Sequence, residues 1–224
     1  IELAKIACAN EYASKDFDDF DIVDEKTEID FESATVSFFK TTHSVPESFG
    51  IVVKTLKGNI VYTGDFKFDQ TAAVGYKTDL GRLAEIGHEG VLALLSDSAN
   101  AENPKETVDE HVIFDFISET FEYHKGRIIV ACVASNILRV QQIFEAASAN
   151  DRKVVLTGHD AEKIVKTAMR LNKLHLPSDD LLVPLKDIKK YNDDEVVILE
   201  TGRSGEPLKS LQKMALGRHR AVNI

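Results

Sequence analysis

The spacing of hydrophobic and polar positions changes rhythm part-way along the chain. Up to residue 100, short runs of β-branched and aromatic residues stand at 35–41, 50–56 and 59–63. Such side chains suit a pleated, half-buried surface, so each run predicts a strand. Lys57 and Gly58 separate the last two by a tight turn, which predicts a hairpin. A further run at 91–95 reads as a buried strand ending in Ser96-Asp97-Ser98. Helices are expected over 2–15, with Leu3, Ile6 and Ala13 on the buried side, and near 79–86.

Beyond residue 106, strands and helices alternate. A helix from Thr107, with Glu110 placed to complete a capping box, presents Ile113, Phe116, Ile117 and Phe121 on one face. Then follow a predicted strand at 127–133, helix at 137–150, strand at 153–157 and helix at 161–174. A short strand at 181–183, a strand at 195–201 and a helix at 207–216 complete the pattern. Alternation of this kind argues for a parallel sheet covered on both faces. The expected class is α/β, with a sheet-rich domain at 1–104 and a parallel-sheet domain at 105–224. The division falls where Asn103-Pro104 interrupts the pattern.

Composition narrows the possibilities. Of 224 residues, 43% are hydrophobic and 8% aromatic, which excludes disorder and fibrous repeats. No apolar run approaches the ~20 residues of a membrane span, and no basic-then-apolar leader opens the chain, so no membrane partner is expected. Cys8 and Cys132 lie far apart in apolar surroundings, and a reducing cytoplasm is expected in place of a disulfide framework. Nearly all of the net charge of −10 falls in the first hundred residues, chiefly between Asp16 and Glu32. Bulk electrostatics therefore disfavours nucleic acid, although a local groove lined by basic residues or metal stays open. The chain opens in mid-helical pattern without Met and reads as part of something longer.

Two first-half features bear on chemistry. Thr41-Thr42-His43-Ser44 places an imidazole at the end of a strand, and Thr63-Gly64-Asp65-Phe66 does the same for a carboxylate. Strand ends of one sheet can converge, and His with Asp is a usable beginning of a zinc or manganese shell. The plainer reading is a surface histidine and a turn-forming aspartate. Asp97 at another strand end either steadies a metal-bound histidine or starts a turn. In the second half, three strands run into Ser135-Asn136, Thr157-Gly158-His159-Asp160 and Thr201-Gly202-Arg203-Ser204-Gly205. Such loops either hold a phosphate at free helix amides or merely cap helices. None is a P-loop or a complete Gly-x-Gly-x-x-Gly. Lys163, Lys166, Arg170 and Lys173 share a helix face, as a nucleic-acid track or a solvated surface. Lys209, Lys213, Arg218, His219 and Arg220 carry the same ambiguity.

Read together, Thr42-His43-Ser44-Val45-Pro46-Glu47-Ser48, Thr63-Gly64-Asp65-Phe66-Lys67-Phe68-Asp69 and Leu95-Ser96-Asp97-Ser98-Ala99-Asn100-Ala101-Glu102 resemble the ribonuclease J family. Ala134-Ser135-Asn136-Ile137, Arg139-Val140-Gln141-Gln142, Thr201-Gly202 and Gly205-Glu206-Pro207 extend the likeness through nearly the whole chain. The resemblance implies the C-terminal part of a metallo-β-lactamase αββα fold followed by a parallel-sheet α/β β-CASP domain. It implies a metal-dependent ribonuclease, 5′-to-3′ exonucleolytic and endonucleolytic, acting in mRNA decay and rRNA maturation. The alternative is a weakly active or non-catalytic paralogue that serves as a structural subunit. RNA and a sister ribonuclease J subunit, in a homo- or hetero-oligomer, are the implied partners, and two divalent metal ions (zinc or manganese) the implied cofactors.

On that resemblance His43 and Asp65 are catalytic metal ligands, Asp65 bridging the two ions. Asp97 supports the metal shell, and Ser135 and Asn136 contact RNA or phosphate. The departures matter too. The family's His-x-His-x-Asp-His is absent from these residues, and the likeness implies that it precedes residue 1. Since a stable site needs at least three protein ligands per ion, these 224 residues alone are expected to bind metal poorly and cleave nothing. Leu138, His159-Asp160 and Arg203-Ser204 depart from the commoner pattern and point to the second Gram-positive paralogue.

Overall fold

The computed structural model describes residues 2, 5–6, 20–69, 71–73, 75–99, 101–105, 107–158, 160–202 and 206–222. Most of the helix expected over 2–15 lies outside the described residues, as do Cys8, His159 and residues 203–205; Glu2, Lys5 and Ile6 are helical. The chain divides into two compact units, Asp19–Ile113 and Ile1–Asp18 with Phe114–Ile224.

In the first unit, strands β1 (Glu28–Phe31), β2 (Ala34–Lys40), β3 (Phe49–Thr55), β4 (Gly58–Tyr62) and β5 (Val91–Leu95) lie in that order in one sheet. The first four form an antiparallel meander, and the predicted hairpin is its β3–β4 turn. β5 instead pairs parallel with β4, and the crossover that this demands is supplied by helix α1 (Leu80–Glu89). Asp79 starts α1 by accepting the Arg82 amide at 2.9 Å. Phe39, Val52, Val61 and Ile86 form the buried core, with Leu83 packed against it.

Two readings of this unit change. β1 escaped the sequence pattern because its residues, Glu-Ile-Asp-Phe, are half charged; edge position tolerates that. The run at 91–95 is a strand but is not buried: Val91, Leu92, Leu94 and Leu95 are all exposed. Among the described residues β5 ends the sheet, with β4 on one side only.

The second unit holds the parallel sheet: β6 (Ile128–Val133), β7 (Lys153–Thr157) and β8 (Val196–Gly202), in the order β6-β8-β7. β8 takes the centre although it comes last. Its Val196-Val197-Ile198-Leu199 run is fully buried, as a strand covered on both faces must be. Helix α2 (Glu110–Tyr123) leads into this unit, and α3 (Ile137–Ala149), α4 (Ala161–Arg170) and α5 (Glu206–Ala215) follow its strands. Ile137, Val140, Ile143, Phe144 and Ala147 put the buried stripe of α3 at helical spacing. A second cluster gathers Val155, Ile188, Val196, Ile198, Met214 and Val222. The expected strand at 181–183 reduces to one parallel bridge, Val154 with Leu182. The helix expected to reach 174 stops at Arg170, and Asn172 turns to φ 56. On α2, Ile117 and Phe121 are buried as expected, whereas Phe116 is exposed.

The two compact units divide at Ile113/Phe114, inside α2. The first turn of α2 is tied to the sheet-rich unit. Glu110 donates its amide to Asp69 Oδ2 at 2.9 Å, so the expected capping box with Thr107 does not form. Lys67 Nζ reaches Glu110 Oε1 at 2.8 Å.

Candidate metal centre

Two loops of the sheet-rich unit carry the candidate ligands. The first leaves β2 through Thr41 and Thr42 to His43; the second leaves β4 through Thr63 and Gly64 to Asp65. An antiparallel bridge joins them, the Lys67 amide donating to the Thr42 carbonyl at 3.0 Å. Thr42 is itself clamped: its amide donates to Thr78 Oγ1 and the Thr78 amide donates to Thr42 Oγ1, both at 2.9 Å, in buried surroundings. His43 and Asp65 thus start from fixed backbone.

Their side chains meet. His43 Nε2 stands 3.7 Å from Asp65 Oδ2, with the imidazole about a third exposed and the carboxylate 72% exposed. A tetrahedral metal site with bonds of about 2.0–2.2 Å separates neighbouring donors by roughly 3.3–3.6 Å. At 3.7 Å the pair stands just beyond that range, so a small side-chain shift would bring both donors onto one ion, and imidazole nitrogen with carboxylate oxygen suits zinc or manganese. Two donors do not complete a shell. Among the described residues no three His, Cys, Asp or Glu side chains gather around a possible ion position.

Asp97 is tied through its backbone to Thr63, two residues before Asp65. Its amide donates to Thr63 Oγ1 at 3.0 Å, while the Thr63 amide donates to the Leu95 carbonyl at 3.1 Å. The carboxylate accepts the Ala99 amide at 2.9 Å, a local turn contact. Ser135 and Asn136 belong to the other unit, where β6 ends. Asn136 caps α3, its Oδ1 accepting the Arg139 amide at 3.0 Å, so its carbonyl oxygen already has the partner that the plainer reading expected. At the neighbouring strand end, the Thr157 hydroxyl donates to the buried Glu200 carboxylate.

The basic face of α4 is largely neutralised: Lys166 pairs with Glu162 at 3.2 Å and Arg170 with Glu2 at 2.8 Å. Lys163, Lys166, Thr167 and Arg170 line a hollow of about 480 Å³. Near the C-terminus, His219 Nδ1 accepts the Val222 amide at 3.1 Å, a local bond.

Sequence reasoning missed Asp69, Lys67, Thr78 and Glu200. A signal existed for the first two: in an extended Phe66-Lys67-Phe68-Asp69 segment, Lys67 and Asp69 fall on one side, and they pair at 3.1 Å.

The surroundings of Cys132 disfavour its thiolate. Burial pushes its thiol up to about 11, against a smaller opposing pull from Arg139. The neutral thiol is the form the fold favours. Its stabilising contribution is complete below the ordinary thiol value of 9.0 and is lost as pH rises through about 11. Alkylation of Cys132 in the folded protein is expected to be far slower at pH 8 than that of a free peptide thiol, and to accelerate up to pH 11. Timed iodoacetamide labelling with mass spectrometry checks this; peptide-like rates at pH 8 would contradict it.

The architecture is that of an α/β protein whose second unit carries a β-CASP domain: residues 125–224 match the description "Ribonuclease J, beta-CASP domain". The chain is 57% identical over all 224 residues to Ribonuclease J 2 of Streptococcus pyogenes serotype M3, and covers 40% of that relative. It is 46% identical over 199 residues to Ribonuclease J2 of Bacillus subtilis, 89% of this chain and 36% of that one. The chain belongs to the ribonuclease J family, a family of metalloenzymes. It spans well under half the length of these curated relatives. A crystal structure of a protein of unknown function from Enterococcus faecalis V583 shares the fold, with a TM-score of 0.62 at 12% identity, over 92% of this chain and 52% of that one. No helix among the described residues is long and apolar enough to cross a membrane.

Proposed function

We propose that this chain is part of a metal-dependent ribonuclease that hydrolyses RNA phosphodiester bonds, both from the 5′ end and internally, in mRNA decay and rRNA maturation. The observation that carries this is the meeting of His43 Nε2 and Asp65 Oδ2 at 3.7 Å, in a chain of the ribonuclease J family. His43 and Asp65 would hold divalent ions, zinc or manganese, with ligands from elsewhere in the full-length protein. Ions held there would supply a lowered pKa for bound water and compensation of charge on the phosphate and the leaving oxygen. The chain's own part is placement: the Thr42–Lys67 bridge and the Thr42–Thr78 clamp fix the two ligand loops before any ion arrives, and preformed ligands lose little entropy on binding.

Asp97 steadies the Thr63 turn from which Asp65 projects. Ser135 and Asn136, at the carboxyl edge of a parallel sheet, are our candidates for contact with RNA phosphate, since ligands of such sheets bind outside that edge. RNA is the substrate, and a sister ribonuclease J subunit the partner in a homo- or hetero-oligomer. The identity to proteins named J 2 supports assignment to the second paralogue. The scarcity of cysteine supports a cytoplasmic site of action.

The test is decay of a 5′-monophosphorylated RNA by the full-length protein with manganese, before and after chelation by EDTA. Decay that EDTA abolishes and manganese restores is the expected result. Decay indifferent to EDTA would sink the metal reading. No decay from a folded protein that still binds its sister subunit would make this chain part of a structural subunit.

A further inference from the structure

The second ligand loop continues past Asp65 into a buried charged knot. Asp69 is only 2% exposed, yet both its oxygens are engaged. Oδ1 accepts the Thr71 amide at 2.8 Å and the Thr71 hydroxyl at 2.6 Å. Oδ2 accepts the Glu110 amide at 2.9 Å and faces Lys67 Nζ at 3.1 Å. Lys67 Nζ also reaches Glu110 Oε1, and the Lys67 amide holds the Thr42 carbonyl next to His43. The Asp69 carboxylate therefore joins the loop of Asp65 to the first turn of α2, and the backbone of its partner Lys67 joins that loop to the loop of His43.

We propose that Asp69 is a positioning residue for the metal centre, anchoring the Asp65 loop to the start of α2 so that Asp65 and His43 stay close enough to share an ion. The inference rests on the metal-centre reading of His43 and Asp65. A buried charge is costly unless every lone pair is used, and here the donors come from the residues flanking Asp69, Lys67 and Thr71, and from the remote first turn of α2. An ionised carboxylate is an acceptor only. An asparagine in its place would turn NH₂ donors toward the Glu110 amide or the Lys67 ammonium, and a loop joined only by weaker contacts would loosen. Burial pushes Asp69 up, but its bonds to Thr71, Glu110 and Lys67 outweigh that and hold it well below the ordinary carboxylate range. It therefore stays ionised at every pH at which the protein would work.

The experiment is manganese titration by calorimetry on the full-length protein and four variants: Asp69→Asn, Thr71→Val, Val52→Ala and Asp65→Asn. Val52 is fully buried in the same sheet, so its truncation lowers the melting temperature without touching the knot. Loss of a group that orients a metal ligand typically weakens affinity about 10–100-fold. Asp69→Asn is expected to weaken manganese binding at least tenfold at a temperature where circular dichroism shows it folded. Thr71→Val, which removes one donor, is expected to weaken it less, and Val52→Ala not at all. If Asp69→Asn and Thr71→Val both bind manganese as the parent does, the positioning role is overturned. It is equally overturned if Val52→Ala loses as much affinity as Asp69→Asn, because the effect is then general destabilisation. Should Asp69→Asn fail to fold, Thr71→Val against Val52→Ala decides alone. Asp65→Asn separates the two layers: if it leaves affinity intact, the metal-centre reading falls, whereas its loss beside an unaffected Asp69→Asn condemns only the positioning role.

Discussion

Asp65→Asn in the full-length protein is expected to lower manganese-dependent RNA decay by about 10³-fold or more, a barrier increase of at least ~4 kcal/mol. The carboxylate is the one anionic donor in the His43–Asp65 pair. An amide oxygen carries no net charge, so it would not offset the charge of divalent ions held there as a carboxylate would. The same change costs little stability, because the Asp65 side chain is 72% exposed and exposed substitutions stay within about 0.5 kcal/mol. The decisive comparison is single-turnover decay beside a thermal melt. An unchanged melt with decay reduced a thousandfold places Asp65 at the reacting centre. Decay within tenfold of the parent removes it from the metal shell, and the proximity to His43 then reduces to an exposed side-chain contact.

Gly158→Ala has the largest expected effect on stability. Gly158 follows β7 with φ 107, and a Cβ there would stand 1.6 Å from the Thr201 carbonyl oxygen, a backbone atom of β8. That carbonyl cannot retreat freely, since β8 is held on both sides by β6 and β7. The left-handed backbone costs an alanine on the order of 1–3 kcal/mol, and the collision adds an overpacking cost of similar size. A total loss of about 3–5 kcal/mol is expected, enough to unfold a marginal domain. Gly75→Ala is the control: φ is 91, but nothing lies within 4 Å of the added Cβ, so only the backbone component remains. Urea midpoints for the two variants measure the difference. Equal midpoints would show that the close approach of β7 to Thr201 does not exist in solution.

How far the sequence reached can be judged from particular elements. β2, β3, β4 and the parallel-sheet strands were legible because β-branched and aromatic runs bounded by turn residues leave few alternatives. The capping reading of the Ser135-Asn136 loop was equally local. β1 was not legible, because charged residues at a sheet edge look like loop until a partner strand supplies their hydrogen bonds. The exposure of Val91 to Leu95 was likewise invisible, since an apolar run says that burial is favourable and not whether a covering element is at hand. For the candidate centre, His43 and Asp65 were named individually at strand ends, but spacing of 22 positions along the chain carries no distance.

By itself, then, the sequence determined the alternation of strand and helix, the α/β class and the motifs by which this chain belongs to the ribonuclease J family, because each of these is written in local side-chain chemistry. Only the tertiary structure decided that β8 is threaded between β6 and β7. Only it set His43 against Asp65 and tied the loop of one, through Lys67 and Asp69, to the first turn of a helix some forty residues on. Those are contacts between segments distant in the chain. The buried ones, such as Asp69 with Glu110, form when hydrogen-bond donors and acceptors that cannot be left unpaired in the interior find one another, and no periodicity records which partner each will find.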